Sequence, residues 1–325
     1  MNRIPRHFAQ ALALAAAVTI PATVLAQADF PNRPIKVVVT VPTGSASDTV
    51  ARHLGEQISK MLGQPIVVEN RPGAQSLIAA RTVAKAPNDG YTLLVGSNTT
   101  HSANPYLVKD MGYDPVKDFV PVASWTINPL FLVVNADLPV KTAAEFVRYA
   151  KERPGKLNYG IGNTGGLVAV QMLKSLTGID AVGISYPGTT QAATDVAGGR
   201  LEFMITDPAV ARPFVQSGKM RILGISSKQR LSTYPDVPPL TEAGLPGYDY
   251  ASWIGVFAPA GSPPEAVRKI GQAYAKALAE PATDKFLTDL GMIALVTSPD
   301  QFQGFLRDQL GMWGRLTKEA GLTPQ

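Results

Sequence analysis

The sequence predicts an α/β protein of two lobes, two βα sheets joined by crossover strands with a cleft between them. Short apolar, β-branched runs alternate along the chain with longer runs of helical period, the pattern of βα units around a mainly parallel sheet. A chain of 325 residues exceeds what one hydrophobic core usually serves, so the core is expected to split into domains of roughly 100 to 200 residues. Two Pro-rich crossings, Val120 to Leu130 and the stretch from Tyr234 to Gly247, bracket the middle of the chain. They mark a middle lobe inserted between two halves of an outer one, with residues 29–128 and 253–325 in lobe I and 129–252 in lobe II. One continuous sheet with long loops is the competing arrangement.

The first unit is the clearest. Ile35-Lys36-Val37-Val38-Val39 reads as a buried strand and a loop follows from Pro42 to Ser47. Val50, Leu54, Ile58 and Met61 then recur at helical spacing, with Asp48 where an N-cap belongs. Further strands are expected from Pro65 to Glu69, Tyr91 to Gly96, Phe131 to Asn135, Lys156 to Ile161, Ala181 to Tyr186, Leu201 to Thr206, Arg221 to Ser226 and Ile254 to Ala258. Helices fit Gln75 to Lys85, Thr142 to Glu152, Leu167 to Leu176, Thr190 to Gly198, Pro208 to Ser217, Pro264 to Ala279, Pro281 to Leu290 and Pro299 to Ala320. Trp125 and Trp253 sit at the lobe crossings, where burial is expected and ligand stacking is the alternative.

Arg3 and Arg6 precede an apolar run from Phe8 to Leu25 that ends in Ala26-Gln27-Ala28, the pattern of a cleavable signal peptide over residues 1–28. Gln10, Thr19, Pro21 and Thr23 interrupt a run already short of the ~20 apolar residues of a membrane span, so no membrane insertion is expected. Cysteine is absent, which excludes disulfides, thiolate metal sites and a lipidated cysteine. A free, exported protein of the periplasm is expected. Without Arg3 and Arg6 the formal charge falls from +5 to +3, and the basic residues are scattered, so no nucleic-acid partner is implied.

Catalytic motifs are scarce. His53 shares a helix with Arg52 and Glu56 and reads as a solvated-face residue; neither it nor His101 has a second ligand at metal spacing. The run Gly183 to Gly188 misses a nucleophile elbow by one residue and puts Ser185 in a strand. Gly160-Ile161-Gly162-Asn163-Thr164-Gly165 has the letters of a dinucleotide loop. Its ribose-binding acid would have to be Asp180, which precedes its strand and so falls on the wrong edge of the sheet. No cofactor, metal or catalytic residue is expected.

Such a loop still attracts anions, because glycines let the backbone approach and the first amides of the next helix are unpaired at a positive dipole end. The arrangement recurs at Thr43-Gly44-Ser45-Ala46-Ser47, at Ser97-Asn98-Thr99-Thr100-His101 and at Pro187-Gly188-Thr189-Thr190. All these loops follow strands, where ligands of parallel sheets bind. Asp48 and Asp207 are their acidic residues, suited to orient water or pair with a ligand ammonium, or simply to start a helix. The candidate ligand contacts are therefore Thr43, Gly44, Ser45, Ala46, Ser47, Asp48, Ser97, Asn98, Thr99, His101, Ile161, Gly162, Asn163, Thr164, Gly165, Pro187, Gly188, Thr189 and Asp207. Gly162→Asp is expected to abolish anion binding with the fold intact.

Several blocks carry a family resemblance: Phe30-Pro31-Asn32-Arg33-Pro34-Ile35, the run from Gly63 to Ala74, Ala86-Pro87-Asn88-Asp89-Gly90-Tyr91, Tyr113 to Phe119, Pro154 to Tyr159 and Glu242 to Gly247. In these the chain resembles the tripartite tricarboxylate transporter receptors, the Bug solute-binding proteins, from about Phe30 to Gly321. The resemblance implies a type II-like periplasmic binding fold that closes on a small carboxylate without catalysis. It also implies a two-component membrane permease as recipient. In that family the first βα loop and the glycine-rich loop of the second lobe hold the ligand, which here are Thr43 to Asp48 and Ile161 to Gly165. The first loop departs from the family's P-x-x-P-G-G-x-x-D by replacing one glycine, which leaves a ligand with an apolar or aromatic body as an alternative to aliphatic acids. A monomer is expected. A ligand-presenting partner of a membrane kinase and a secreted oxidoreductase are the remaining alternatives.

Overall fold

The computed structural model describes residues 30–324, so the expected signal peptide lies outside the described residues. The chain begins with β1 (Ile35–Val39), α1 (Ala46–Leu62), β2 (Ile66–Asn70), α2 (Leu77–Ala84) and β3 (Thr92–Ser97). A single wide turn (Thr99–Ala103) and the short α3 (Asn104–Leu107) lead into β4 (Phe119–Pro129). The middle of the chain supplies β5 (Phe131–Asn135), α4 (Ala143–Lys151), β6 (Leu157–Ile161), α5 (Thr164–Thr177), β7 (Ala181–Ser185), α6 (Thr189–Ala197), β8 (Phe203–Thr206), α7 (Pro208–Gln216) and β9 (Met220–Ile225). It closes with β10 (Ala251–Pro259), α8 (Pro264–Leu278), α9 (Pro281–Asp289), β11 (Ile293–Ala294) and α10 (Pro299–Glu319).

Two sheets result, and with their helices they make a two-lobed α/β fold. One has the order β11-β4-β10-β3-β1-β2, the other β7-β6-β8-β5-β9. In β1, Ile35, Val37, Val38 and Val39 are all buried, because helices cover both faces of the strand. Each sheet is parallel only in part: β1 pairs parallel with β2 and β3, and β6 with β7 and β8. The expected mainly parallel sheets are thus mixed, since β10 runs antiparallel to β3 and β4, and β5 to β8 and β9.

The crossing between lobes explains the difference. Val120 to Leu130, expected as a Pro-rich crossing, is built as a strand: Phe119–Pro129 is the longest among the described residues, paired with β10 from Ala251↔Pro129 to Pro259↔Phe119. Proline has no N–H for a ladder, and Pro121 falls beside one of the two register shifts of this ribbon while Pro129 ends it. Both strands pass directly to the other lobe. Leu130 donates its N–H to the Ser226 hydroxyl (2.7 Å), Ser226 returns its N–H to the Leu130 carbonyl (2.8 Å), and Tyr250 donates to the Ser226 carbonyl (3.0 Å). One serine thus pins both crossings.

The aromatic residues at the crossings are core. Trp125 packs on Tyr274 at 5.1 Å, and Trp253 sits among Phe257, Phe302 and Phe305, both tryptophans fully buried. Helix α10, N-capped by Ser298, starts in that cluster through Phe302 and Phe305. Its second half leaves it: Trp313 and Leu316 are buried in the core of the other lobe, with Tyr250 6.3 Å from Trp313. Assigning all of 253–325 to lobe I therefore does not describe α10, which spans both cores. His53 is half-buried rather than fully solvated: it stacks on Phe286 at 4.0 Å and meets the Thr283 hydroxyl at 3.1 Å, docking α1 on α9.

Candidate functional site

The loop after β1 is held by a carboxylate that faces inward. The N-cap of α1 is Ser45, whose hydroxyl accepts the Asp48 N–H at 3.4 Å; Asp48, expected at the cap, lies three residues further on. Asp48 accepts from the Gly44 N–H (2.9 Å), from the Asn70 amide (2.8 Å) and from two nitrogens of Arg52 (3.0 and 3.1 Å). Burial works to raise this carboxyl's pKa, but Arg52, the Gly44 N–H and Asn70 outweigh it and hold it below the usual range. These donors take up its acceptor positions, so Asp48 shapes the loop. Asn70, absent from the sequence expectations, is the second anchor: it binds the Val41 carbonyl (3.0 Å) and accepts from the Thr43 hydroxyl (3.1 Å). Gly44 turns the loop at φ +82°, a value side chains resist. What remains toward solvent is Thr43, Gly44 and Ala46, with the first helical amides of Ala46 and Ser47 unpaired within the helix. Asp48→Ala strands three donors, and the expected cost is about 1–3 kcal/mol in urea unfolding.

The loop after β3 satisfies itself. Ser97 N–H donates to the Thr100 hydroxyl (2.9 Å), Thr99 N–H to the Ser97 hydroxyl (3.2 Å), and the buried Asn98 accepts from the Ser252 hydroxyl (2.6 Å). His101 is turned into the aromatic core. It is buried, stacked on Phe257 at 3.7 Å and edge-on to Phe119 at 5.1 Å, and burial pushes its pKa down to about 3. It is neutral at physiological pH, and its sequence neighbours hid this because an aromatic shelf from β10 supplies the burial. A depressed histidine contributes stability that is complete above the unfolded pKa and is lost as pH falls toward the folded one. Between pH 6.5 and 4.5 that loss approaches about 2.7 kcal/mol. His101→Asn is expected to flatten the stability profile over that window, measured by urea unfolding at each pH.

In lobe II two helix starts are brought together. Asn163 caps α5 by accepting the Gly166 N–H at 2.7 Å, and its own amide donates to the Thr189 hydroxyl of α6 at 3.3 Å. Gly162 lies against the same residue: a Cβ there would stand 2.2 Å from the Thr189 Cα and 2.7 Å from its nitrogen. The expectation that Gly162→Asp spares the fold is therefore overturned. Helix α6 starts at Gly188 with no side-chain cap, leaving its first amides open, and Thr164 and Pro187 are exposed beside them. Ile161 closes β6 and pairs with Ser185. The dinucleotide reading fails on geometry as expected. Asp180 lies beside Gly155, whose N–H it accepts at 3.2 Å, a strand's length of about 16 Å from Gly162.

Asp207 ends β8 at the N-cap position of α7 but makes no cap bond. Burial raises its pKa. Near it stands Tyr250, which the sequence did not single out; its hydroxyl is buried without a partner and lies 3.5 Å from where a Gly165 Cβ would be. The candidate loops carry no lysine or arginine. Among the described residues no group of acids and histidines could hold a metal, and no hydrogen bond joins the Thr43–Asp48 loop to the Ile161–Gly165 loop. An apolar hollow of about 620 Å³ between β4 and α8 lies away from all of these loops.

The model of the tripartite tricarboxylate transporter family receptor matches residues 50–322. The chain belongs to that family. BugT of Bordetella pertussis is 31% identical over 295 residues, 90% of each chain. Among solved structures, that of Rpa4515 from R. palustris with adipate is 32% identical with a TM-score of 0.72, covering 91% of this chain and 100% of the other. MatC from Rhodopseudomonas palustris with bound malate is 34% identical with a TM-score of 0.69, covering 88% and 99%. The periplasmic binding protein BugD is 30% identical with a TM-score of 0.70, covering 91% and 100%. As a receptor of this family the chain is a solute-binding protein and not an enzyme, which removes the oxidoreductase alternative. No helix among the described residues is long and apolar enough to cross a membrane.

Proposed function

We propose that this receptor captures a small organic carboxylate in the periplasm, between lobe I (29–128 and 253–325, the end of α10 excepted) and lobe II (129–252), and delivers it as a monomer to a two-component membrane permease. The observation that carries the reading is the side-by-side start of α5 and α6, with open amides and no basic side chain in either loop. Helix N-termini each present roughly half a positive charge together with aligned N–H donors, which suits an anion without a counter-ion. The start of α1 supplies a matching set for a second carboxylate or a bridging water. The adipate and malate held by two relatives support the class.

Ligand contacts in this reading come from Thr43, Gly44, Ala46 and Ser47 in lobe I and from Thr164, Gly165, Gly188 and Thr189 in lobe II. Asp48, Asn70 and Asn163 hold those loops in place. Closure turns on the β4 to β5 and Tyr250 to β10 passages pinned by Ser226, and it is driven by the extra contacts the closed form makes. An export signal over residues 1–28 delivers the protein to that compartment. The test is a thermal-shift and calorimetric panel of aliphatic and aromatic carboxylates with nicotinamide cofactors as controls. A ligand at 100 times its dissociation constant stabilises by about 2.7 kcal/mol, which moves the midpoint by several degrees. A response to no carboxylate sinks the reading.

A further inference from the structure

Lobe II contains an acid where an anion site has no use for one. Asp207 stands at the head of α7, the place where aspartate ordinarily caps, yet its side chain makes no cap bond, and burial raises its pKa against a single backbone hydrogen bond. Its neighbour Tyr250 is 1% exposed, and its hydroxyl has no partner. That hydroxyl faces the first turn of α5: a Cβ built on Gly165 would stand 3.5 Å from it and 3.4 Å from the Asn163 Oδ1, so glycine leaves that approach free of a side chain. A buried hydroxyl that folds without a partner is costly unless something arrives to satisfy it.

We propose, building on the receptor reading above, that Asp207 and Tyr250 form a specificity subsite for a carboxylate bearing a hydrogen-bond donor, hydroxyl or ammonium, on the adjacent carbon. The carboxylate lies over the start of α5, where the open amides and the Tyr250 hydroxyl donate to it. The donor on the next carbon meets Asp207. Without that donor the two negative groups oppose each other in a desolvated place, and with it the same acid becomes an acceptor. Burial already holds the Asp207 carboxyl above its usual pKa, as expected of a group still waiting for its partner. Gly165 keeps that approach open, since a side chain there would stand against the Tyr250 hydroxyl.

The test is calorimetry at pH 7 with three acids of equal length: succinate, which has no donor, L-malate, with a hydroxyl, and L-aspartate, with an ammonium. At least one of the last two is expected to bind tenfold or more tighter than succinate, and which one identifies the donor. Asp207→Asn keeps the shape and is expected to bring that ratio to threefold or less, whereas Tyr250→Phe is expected to weaken all three together by about tenfold. Succinate within threefold of both partners, a ratio unchanged in Asp207→Asn, or full affinity in Tyr250→Phe overturns the proposal. Adipate or terephthalate binding with no such donor preference would overturn it while leaving the receptor reading intact. Failure of every carboxylate would remove the receptor reading itself.

Discussion

Replacing Gly162 by alanine is expected to abolish ligand binding and to lower stability by about 1–3 kcal/mol, the usual cost of overfilling a packed place. The added methyl would stand 2.2 Å from the Thr189 Cα and 2.9 Å from its Cβ. Backbone cannot rotate out of the way as a side chain can, so the loops starting α5 and α6 must part. Their separation pulls Asn163 from the Thr189 hydroxyl, a contact of 3.3 Å, and the two helix starts cease to converge. Gly311→Ala is the control, because a Cβ there meets nothing within 4 Å and the residue lies inside α10, outside the candidate loops. Calorimetry and urea unfolding of both variants decide the matter. Near-normal behaviour of Gly162→Ala, or equal loss in Gly311→Ala, would mean that the junction does not shape the site.

Trp313→Ala is expected to cost about 3–5 kcal/mol in urea unfolding, the range for deleting a buried large aromatic. Trp313 is 1% exposed, and its indole N–H has no partner, so the loss is one of packing alone. The residue holds the second half of α10 against the lobe II core, 6.3 Å from Tyr250. The first half stays anchored by Phe302 beneath Trp253 and Phe257. The variant should therefore loosen the helix end and the Tyr250 crossing together, weakening binding as well as stability. A loss below about 1 kcal/mol would show that this end of the helix is not docked in solution.

The strands and helices of the βα units were legible because each buries its own apolar pattern. Ile35 to Val39 and Phe131 to Asn135 fall at the expected bounds. Strand β4 was hidden by Pro121 and Pro129, since a proline argues against a strand unless a partner's register shift absorbs it, and that partner lies more than a hundred residues away. The loops rich in glycine and hydroxyls were legible as helix starts open to anions. Their internal division of labour was not. Asp48 and His101 have the residue types of ligand contacts, but Arg52 with Asn70 consumes one and Phe257 buries the other. Tyr250 gave no sequence signal, because an orphaned hydroxyl exists only once a core has closed around it.

The amino-acid order by itself determined the α/β class, the two-lobed division and the positions of the loops after the strands, and its motif blocks carried the family resemblance. The first three follow from local periodicity and turn chemistry, which act within a few residues. Only the tertiary structure decided that the sheets are mixed, that α10 spans both lobes, that α5 and α6 begin side by side, and that Asp207 is left without a cap bond. Those outcomes depend on which distant groups meet, and pairing energies between residues far apart in the chain leave no mark on the pattern of either one alone.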